Sequence, residues 1–518
     1  MAIGPTGTDT VWSLYRRCAD SHAHSALLFV DDTGAVHTTP WTDLAARAGR
    51  IAAGLRAAGI RHGDRVALLD ANSPTFPALL GATSLLGAIA VPLNVLLAPP
   101  ELAYQLGDVE PAALIAGPRF AAAGQRAVDI AGVTPARYAV GQPLDGWAPL
   151  PEHGQPLAGP PDRVDHMDPF QILFTSGTTS RPKGVLHSHR NIVEESLRQV
   201  YQWSLGPDDV VFTHMPLFHV AGQNLVLFPA MSVGAGTAIG GAFSAGRWAD
   251  DLRSTGATVA AVAGAQIRMI MAQPGKPTDG RNELRLIPTG IAVPADMEAA
   301  FVERFGAPVR AISGSTESIA VSYCEPVWGE HRHPALGRPT FGKQVEIRDE
   351  DGNPLPAGRP GELCVRGTPG AEVMLGYWNR PEETAKALVD GWLHTGDIGV
   401  ADEDGYLFFV DRKKDIIKRA GENVSASEVE RVLLELGGVR EAAVVGRPDP
   451  IRDEAVVAFV VLDSDGPSVE KMIEHCAENL AGFKVPEEII VLDSLPVTSI
   501  GKIEKATLRE RAKAGQST

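Results

Sequence analysis

Residues 172–191 read ILFTSGTTSRPKGVLHSHRN. The apolar run Ile172, Leu173, Phe174 predicts a buried strand, and Thr175, Ser176, Gly177, Thr178 and Thr179 follow it as a loop of hydroxyls around a glycine. Such a loop, with Lys183 and Gly184 just behind it, offers backbone N–H groups, hydroxyl donors and one ammonium to a polyanion. Glycine permits close backbone approach, and no carboxylate in the loop repels phosphate. The Walker A pattern GxxxxGK[ST] is absent. A polar surface turn would account for Ser, Thr and Gly alone. The strand ahead and Pro182-Lys183-Gly184 behind point instead to phosphate binding.

On the N-terminal side of this loop, helical and strand patterns alternate. Residues 42–58 carry apolar residues at helical spacing (Leu44, Ala45, Ile51, Leu55), and Arg65–Leu69 reads as a strand. The alternation recurs at 76–86 into 88–92 and at 101–107 into 112–116, which predicts mostly parallel sheets covered by helices. Residues 141–168 are rich in Pro and Gly and read as a connection. Met269, Ile270 and Met271 read as helix core. From Gln344 the texture changes to short strands at 345–348, 361–365 and 405–409 between Asp-Gly and Gly-Arg-Pro turns, which predicts a small β-barrel-like module within about 340–411. Beyond Asp411 lies a compact α+β tail with helices at 427–436 and 468–480 and strands at 441–446 and 455–462. The expected fold class is α/β.

The chain has 518 residues, too many for one core, with 44% hydrophobic and 21% charged residues, as in a soluble multidomain protein. A net charge of -16 argues against a nucleic-acid partner. Four scattered cysteines give no disulfide framework and fit a reducing cytoplasm. The apolar stretch 76–93 is broken by Pro77, Gly81, Gly87 and Pro92, so it predicts a buried helix running into a strand and not a membrane span.

Further motifs follow in order. Ser313-Gly314-Ser315-Thr316-Glu317 comes after the apolar strand 309–312, where Thr and Glu could meet phosphate and Mg²⁺. Gly376-Tyr377-Trp378 precedes Gly391-Trp392-Leu393-His394-Thr395-Gly396-Asp397, whose Asp could bind vicinal hydroxyls or close an Asx-turn. Asp411-Arg412-Lys413-Lys414-Asp415 marks the change in texture, and Ile500-Gly501-Lys502-Ile503 lies near the C-terminus.

In this order and at these separations the motifs resemble the adenylate-forming superfamily of acyl-CoA synthetases, peptide-synthetase adenylation domains and beetle luciferases, and most of all acyl- or aryl-CoA ligases. The resemblance runs from about Trp41 to Lys505. It implies a large N-terminal domain, residues 1–411, and a smaller mobile C-terminal domain, residues 412–518, with a hinge at Lys414. It implies ATP, Mg²⁺ and coenzyme A. Thr175–Thr179 and Lys183 match the loop for the β- and γ-phosphates, Thr316 the contact to the α-phosphate and Glu317 the Mg²⁺ ligand. Asp397 and Arg412 match the ribose-binding pair, and Lys502 the lysine that reaches the carboxylate and α-phosphate. Lys418, Gly421 and Glu422 fall in the segment that lines the pantetheine tunnel. Gly290, Ile291 and Ala292, with Ser313, Gly314 and Ser315, match the adenine-side contacts. His219 matches the gate of the acyl pocket, whose wall would comprise Val220, Gln223, Asn224, Ala263, Gly264, Gly290, Ile291 and Ser313.

Three positions depart from the family pattern. Ser313 stands where an aromatic ring usually stacks on adenine, Thr289-Gly290-Ile291-Ala292 replaces the common GGAPL, and Ser180 replaces a glycine. The small wall residues point to a bulky cyclic or aromatic acid. The departures open a second reading, in which only thioester formation from a preformed acyl-adenylate is catalysed. Loading of a carrier protein in trans, a nucleotide-binding relic and an oligomer stay open as alternatives. The pairs His187/His189 and His331/His333 have no carboxylate or cysteine neighbour at metal-ligand spacing, so zinc is not expected.

Overall fold

The structure, a computed structural model, describes residues 8–21, 25–175, 182–290, 293–412, 415–419, 422–449, 453–480, 482–497 and 503–514. The chain divides into two compact units. The larger holds residues 1–175, 182–345 and 364–394, and the smaller holds 176–181, 346–363 and 395–518. The proposed barrel-like stretch 340–411 is thus shared between the two.

In the larger unit, strands Arg65–Leu69, Ile89–Pro92, Ala113–Ala116 and Ala136–Ala139 pair in parallel, as the alternating pattern predicts. The helix between the first two, Thr75–Leu86, is buried at all twelve positions and runs into Ile89–Pro92, so the apolar stretch is core. No described helix is long and apolar enough to cross a membrane. Helix Trp41–Ala57 buries Trp41, Leu44, Ala48, Ile51, Ala52 and Leu55, one stripe at helical spacing. Strand Pro169–Thr175 joins this sheet in parallel at Ala90 and continues antiparallel into Lys183–Ser188 and Gly376–Tyr377.

Two further sheets complete the larger unit. One is ordered Val259–Ala260, Val210–Thr213, Gly236–Gly240, Ala26–Val30, Val36–Pro40. The other begins with parallel strands Val262–Ala263, Ile287–Gly290 and Val309–Ser313, then turns antiparallel through Tyr323–Cys324 and Arg338–Pro339. Helix Gly264–Met271 buries Ile267 and Ile270 but leaves Met269 53% exposed. The expectation of a Met269–Met271 core therefore fails at Met269: three consecutive helical residues span too wide an arc to face one side.

In the smaller unit, strands Glu422–Ser425, Ile416–Arg419, Asp453–Leu462 and Val439–Asp449 form an antiparallel series, with Glu488–Val491 parallel to Asp453–Leu462. One core gathers helices Ala426–Glu435 and Val469–Asn479 against the sheet, and another gathers Leu508 and Ala512 of helix Lys505–Ala514. The strand expected at 405–409 runs instead over Leu407–Arg412, because the Asp402 carboxylate accepts from the N–H groups of Asp404 and Tyr406 and holds the preceding residues as a turn.

Candidate active site

Strands Pro169–Thr175 and Lys183–Ser188 place Thr175 directly opposite Lys183. Ser176, Gly177, Thr178 and Thr179 lie outside the described residues. Lys183 Nζ stands 3.0 Å from Glu383 and 4.4 Å from the centre of the Tyr377 ring. The Tyr377 hydroxyl in turn donates to Glu317 Oε1 at 3.0 Å. Burial and the Glu317 carboxylate push the Tyr377 phenol upward, so it stays a donor. One aromatic ring thus joins the lysine of the phosphate motif to the carboxylate of the second motif.

Thr316 and Glu317 sit on a loop that leaves strand Val309–Ser313 and returns by Ser322 N–H donating to Ser313 O at 2.9 Å. Gly314 is required here, because a Cβ would lie 2.2 Å from the Ala320 carbonyl oxygen. The returning limb is strained: Ile319 has φ 67° and Ala320 φ 108°, conformations costing about 1–3 kcal/mol each. Donors from outside the loop offset this. His187 Nε2–H donates to Thr316 O at 2.8 Å, Met374 N–H to Glu317 O at 2.9 Å, Lys343 Nζ to Ser318 O, and Asn224 Nδ2 to Ile319 O at 3.2 Å. Burial drops the His187 imidazole to about 4, so it is neutral, and Gln171 at its Nδ1 assigns the remaining proton to Nε2.

Behind the loop lies a buried charge cluster. Glu195 Oε1 accepts from Val321 N–H at 3.1 Å and from Gln199 Nε2 at 2.8 Å, while its Oε2 faces Lys343 Nζ at 3.2 Å and Arg198 at 3.5 Å. The side chains of Lys343 and Glu195 are fully buried. Burial pulls the Lys343 ammonium down to about 8 while the Glu195 side chain opposes the fall, so the lysine keeps its charge at neutral pH.

The parallel strands Val262–Ala263, Ile287–Gly290 and Val309–Ser313 bring Ala263 beside Gly290 and Gly290 beside Ile312 at their C-terminal ends. Open parallel sheets bind ligands outside these ends. Gly264 opens the helix that follows, and Ser313 and Ser315 are half-buried. His219 precedes a single turn, Val220–Gly222, that widens into a π-helix over Gln223–Leu227, an irregularity common at functional sites. Gln223 and Asn224 are fully buried; their amide nitrogens donate to Leu217 O and Ile319 O, while Gln223 Oε1 and Asn224 Oδ1 have no hydrogen-bond partner among the described residues.

In the smaller unit, Asp397 lies on a strand, not in an Asx-turn, and its register partner is Arg412. Lys418 and Glu422 lie on paired strands Ile416–Arg419 and Glu422–Ser425. For Arg412, Lys418 and Glu422 only the backbone is described. Ile291, Ala292, Lys414, Gly421 and Lys502 lie outside the described residues.

The histidine pairs correct one expectation. His331 does meet carboxylates, Glu298 at 2.8 Å and Glu325 at 2.7 Å, because strand and helix pairing brings together residues far apart in sequence. Sequence reasoning also gave no role to Tyr377, Glu383, Glu195, Lys343 or His187. Tyr377 and His187 stood in stretches already singled out; Glu383, Glu195 and Lys343 carried no local signal.

The family model for AMP-binding enzymes matches residues 14–378, and that for the AMP-binding enzyme C-terminal domain matches 428–502. The chain is 37% identical over 496 residues to the crotonobetaine/carnitine–CoA ligase of Salmonella paratyphi B, covering 94% of this chain and 96% of that protein. Among solved structures, ATP-bound MatB from Rhodopseudomonas palustris superposes with a TM-score of 0.86 at 31% identity, covering 98% of this chain and 99% of that one. The anthranilate CoA ligase AuaEII with anthranoyl-AMP gives a TM-score of 0.85 at 26% identity, covering 99% of each.

Proposed function

The chain belongs to the AMP-binding enzyme family as an acid–thiol ligase of its acyl-CoA synthetase branch, and on that premise we propose that it joins a bulky cyclic or aromatic acid to CoA through an acyl-adenylate. The observation that supports this is the line Lys183–Tyr377–Glu317, with an ammonium against the ring and a carboxylate at its hydroxyl, groups that would suit the outer phosphates and the metal. Glu317 fits a Mg²⁺: its Oε1 takes one hydrogen bond, its Oε2 has no partner among the described residues, and a carboxylate is the hard ligand this ion selects. When bound, Mg²⁺ would neutralise charge on the phosphate oxygens.

In the first step the acid's carboxylate oxygen attacks the α-phosphorus of ATP, the bond to the bridging oxygen breaks and pyrophosphate leaves. Charge gathers on the phosphoryl oxygens, where the Thr316 hydroxyl and the Lys502 ammonium would meet it. Lys183 would exchange Glu383 for a phosphate. Asp397 and Arg412 would hold the ribose. In the second step the thiol sulfur of CoA, its proton lost to solvent, attacks the acyl carbonyl and AMP leaves. Residues 412–518 would turn about Lys414 between the steps, bringing Gly421, Lys418 and Glu422 to the pantetheine. The acid would lie against His219, Val220, Gln223, Asn224, Ala263, Gly264, Gly290 and Ser313.

A panel of acids assayed with ATP alone, with ATP plus CoA, and as synthetic acyl-adenylates plus CoA tests the whole proposal. Bulky acids should yield acyl-adenylate in the first arm and thioester in the others. Acetate or propionate as the best acids would refute the pocket, and thioester only from preformed adenylate would leave a transferase. Lys502→Ala should lose the first step and keep the second.

A further inference from the structure

Four consecutive carbonyl oxygens, those of Thr316, Glu317, Ser318 and Ile319, each accept a donor from elsewhere in the larger unit. Three of the four donors, a neutral imidazole, a backbone N–H and a side-chain amide, are groups that a folded core supplies without charge. The one at Ser318 is different. It is the ammonium of Lys343, wholly buried, and burying an ammonium is costly unless a counter-charge accompanies it. The counter-charge is Glu195, whose other oxygen accepts from Val321 N–H. The ion pair therefore grips the loop at both ends of its strained stretch, Ser318 on one side of Ile319 and Ala320, and Val321 on the other.

A pair serving stability alone could be replaced by apolar residues without loss. Here both partners spend a hydrogen bond on the backbone that carries Thr316 and Glu317. Arg198 lies 3.5 Å from the Glu195 oxygen that faces Lys343 and pairs with Glu194 at 3.0 Å, which adds positive charge beside the carboxylate. Lys343 is fixed by its own backbone, whose N–H donates to Thr340 O at 2.9 Å, and Thr340 N–H donates to Ser322 O at 3.0 Å.

We propose that Glu195 and Lys343 are positioning residues for adenylation: their ion pair holds residues 318–321 so that Thr316 and Glu317 face the α-phosphate and its metal. This rests on the assignment of Thr316 and Glu317 above. The expected signature is selective. Metal–nucleotide binding and adenylation depend on the pair, while thioester formation from preformed adenylate does not.

The test uses the full-length protein and three variants, Glu317→Gln, Lys343→Met, and the double variant Lys343→Met with Glu195→Gln, which leaves no lone charge in the core. Thermal unfolding selects variants that fold. Electron paramagnetic resonance then measures Mn²⁺·ATP binding directly, independent of turnover, and both half-reactions are timed. The folded double variant should bind Mn²⁺·ATP about 10–100-fold more weakly, the range for removing a group that orients a metal ligand. Its thioester half-reaction should stay within about twofold of the parent, the precision of such comparisons at independent sites. Unchanged Mn²⁺·ATP binding in the double variant, with Glu317→Gln impaired, would overturn the positioning role alone. Equal loss in both half-reactions would overturn it too, by making the pair merely structural. Unchanged binding in Glu317→Gln would overturn the assignment on which the inference stands.

Discussion

Two of the groups proposed to act around the triphosphate, the metal ligand and the lysine of the phosphate loop, are held in opposite ways. Glu317 rides on a loop whose carbonyls are tied down by His187, Met374, Lys343 and Asn224, most of them deep in the core. Lys183 is held at the surface by Glu383, whose side chain is 39% exposed, and by the face of Tyr377. Exposed ion pairs are worth about 0–1 kcal/mol, so the lysine changes partners cheaply. The loop cannot move without leaving buried groups unsatisfied, at about 1–3 kcal/mol for each. Fixed geometry belongs where charge develops at the α-phosphorus, and exchangeable geometry where pyrophosphate must be captured and then released.

The sharpest break would come at Glu317. Replacing it by Gln removes a preorganised electrostatic group, and adenylation should fall by about 10²–10³-fold with the fold intact, as measured by quenched single-turnover assays. A fall of less than tenfold would mean that the clamped loop presents something other than the metal ligand.

Acid should destabilise the larger unit through its buried histidines. His187 and His189 are buried and neutral, their imidazoles lowered to about 4 and about 3 from 6.5. Since the unfolded chain binds those protons more tightly, stability is fully present above pH 6.5 and is lost as pH falls toward these values, at about 1.4 kcal/mol per pH unit for each group. Denaturant melts between pH 7 and pH 5 check this, and a flat profile would contradict the burial of both rings. Protonation of His187 would also set an N–H against the Gln171 Nε2 amide, while its Nε2–H would still donate to Thr316 O.

On the exchangeable side, Lys183→Met should weaken ATP binding by about 1.5–3 kcal/mol, the range for a charge-assisted hydrogen bond. Glu383→Gln should tighten it slightly, by at most about 1 kcal/mol, because the lysine gives up less. Isothermal titration with ATP reads both, and tighter binding in Lys183→Met would reverse the assignment. A change of similar size is expected at Ser313. Ser313→Tyr would restore a stacking ring and improve ATP binding by about 0.5–1.5 kcal/mol.

Much of this was legible in the sequence because it is local. Helical spacing in Leu44, Ile51 and Leu55 gave the stripe that helix Trp41–Ala57 buries, and the broken apolar stretch 76–93 gave the buried helix and its strand. Thr316 and Glu317 were readable because their motif is contiguous. The devices that hold them were not. Glu195 and Lys343 are 148 positions apart by their numbers and meet only when helix His189–Trp203 packs behind the loop. A lysine in Phe341-Gly342-Lys343 and a glutamate beside Glu194 carry no local sign of burial, since such residues are usually solvated. His331 failed the same way, since Glu298 and Glu325 are neighbours in space only. Met269 departs from the expected core because three consecutive apolar residues on a helix cannot all face one side.

One measurement bears on adenylation most directly: acid-dependent exchange of radiolabelled pyrophosphate into ATP, without CoA, by the parent enzyme and by Glu317→Gln. Exchange with a bulky acid in the parent, reduced by about 10²–10³-fold in the variant, is the expected result. Thioester formation from synthetic acyl-adenylate with no pyrophosphate exchange for any acid would contradict it.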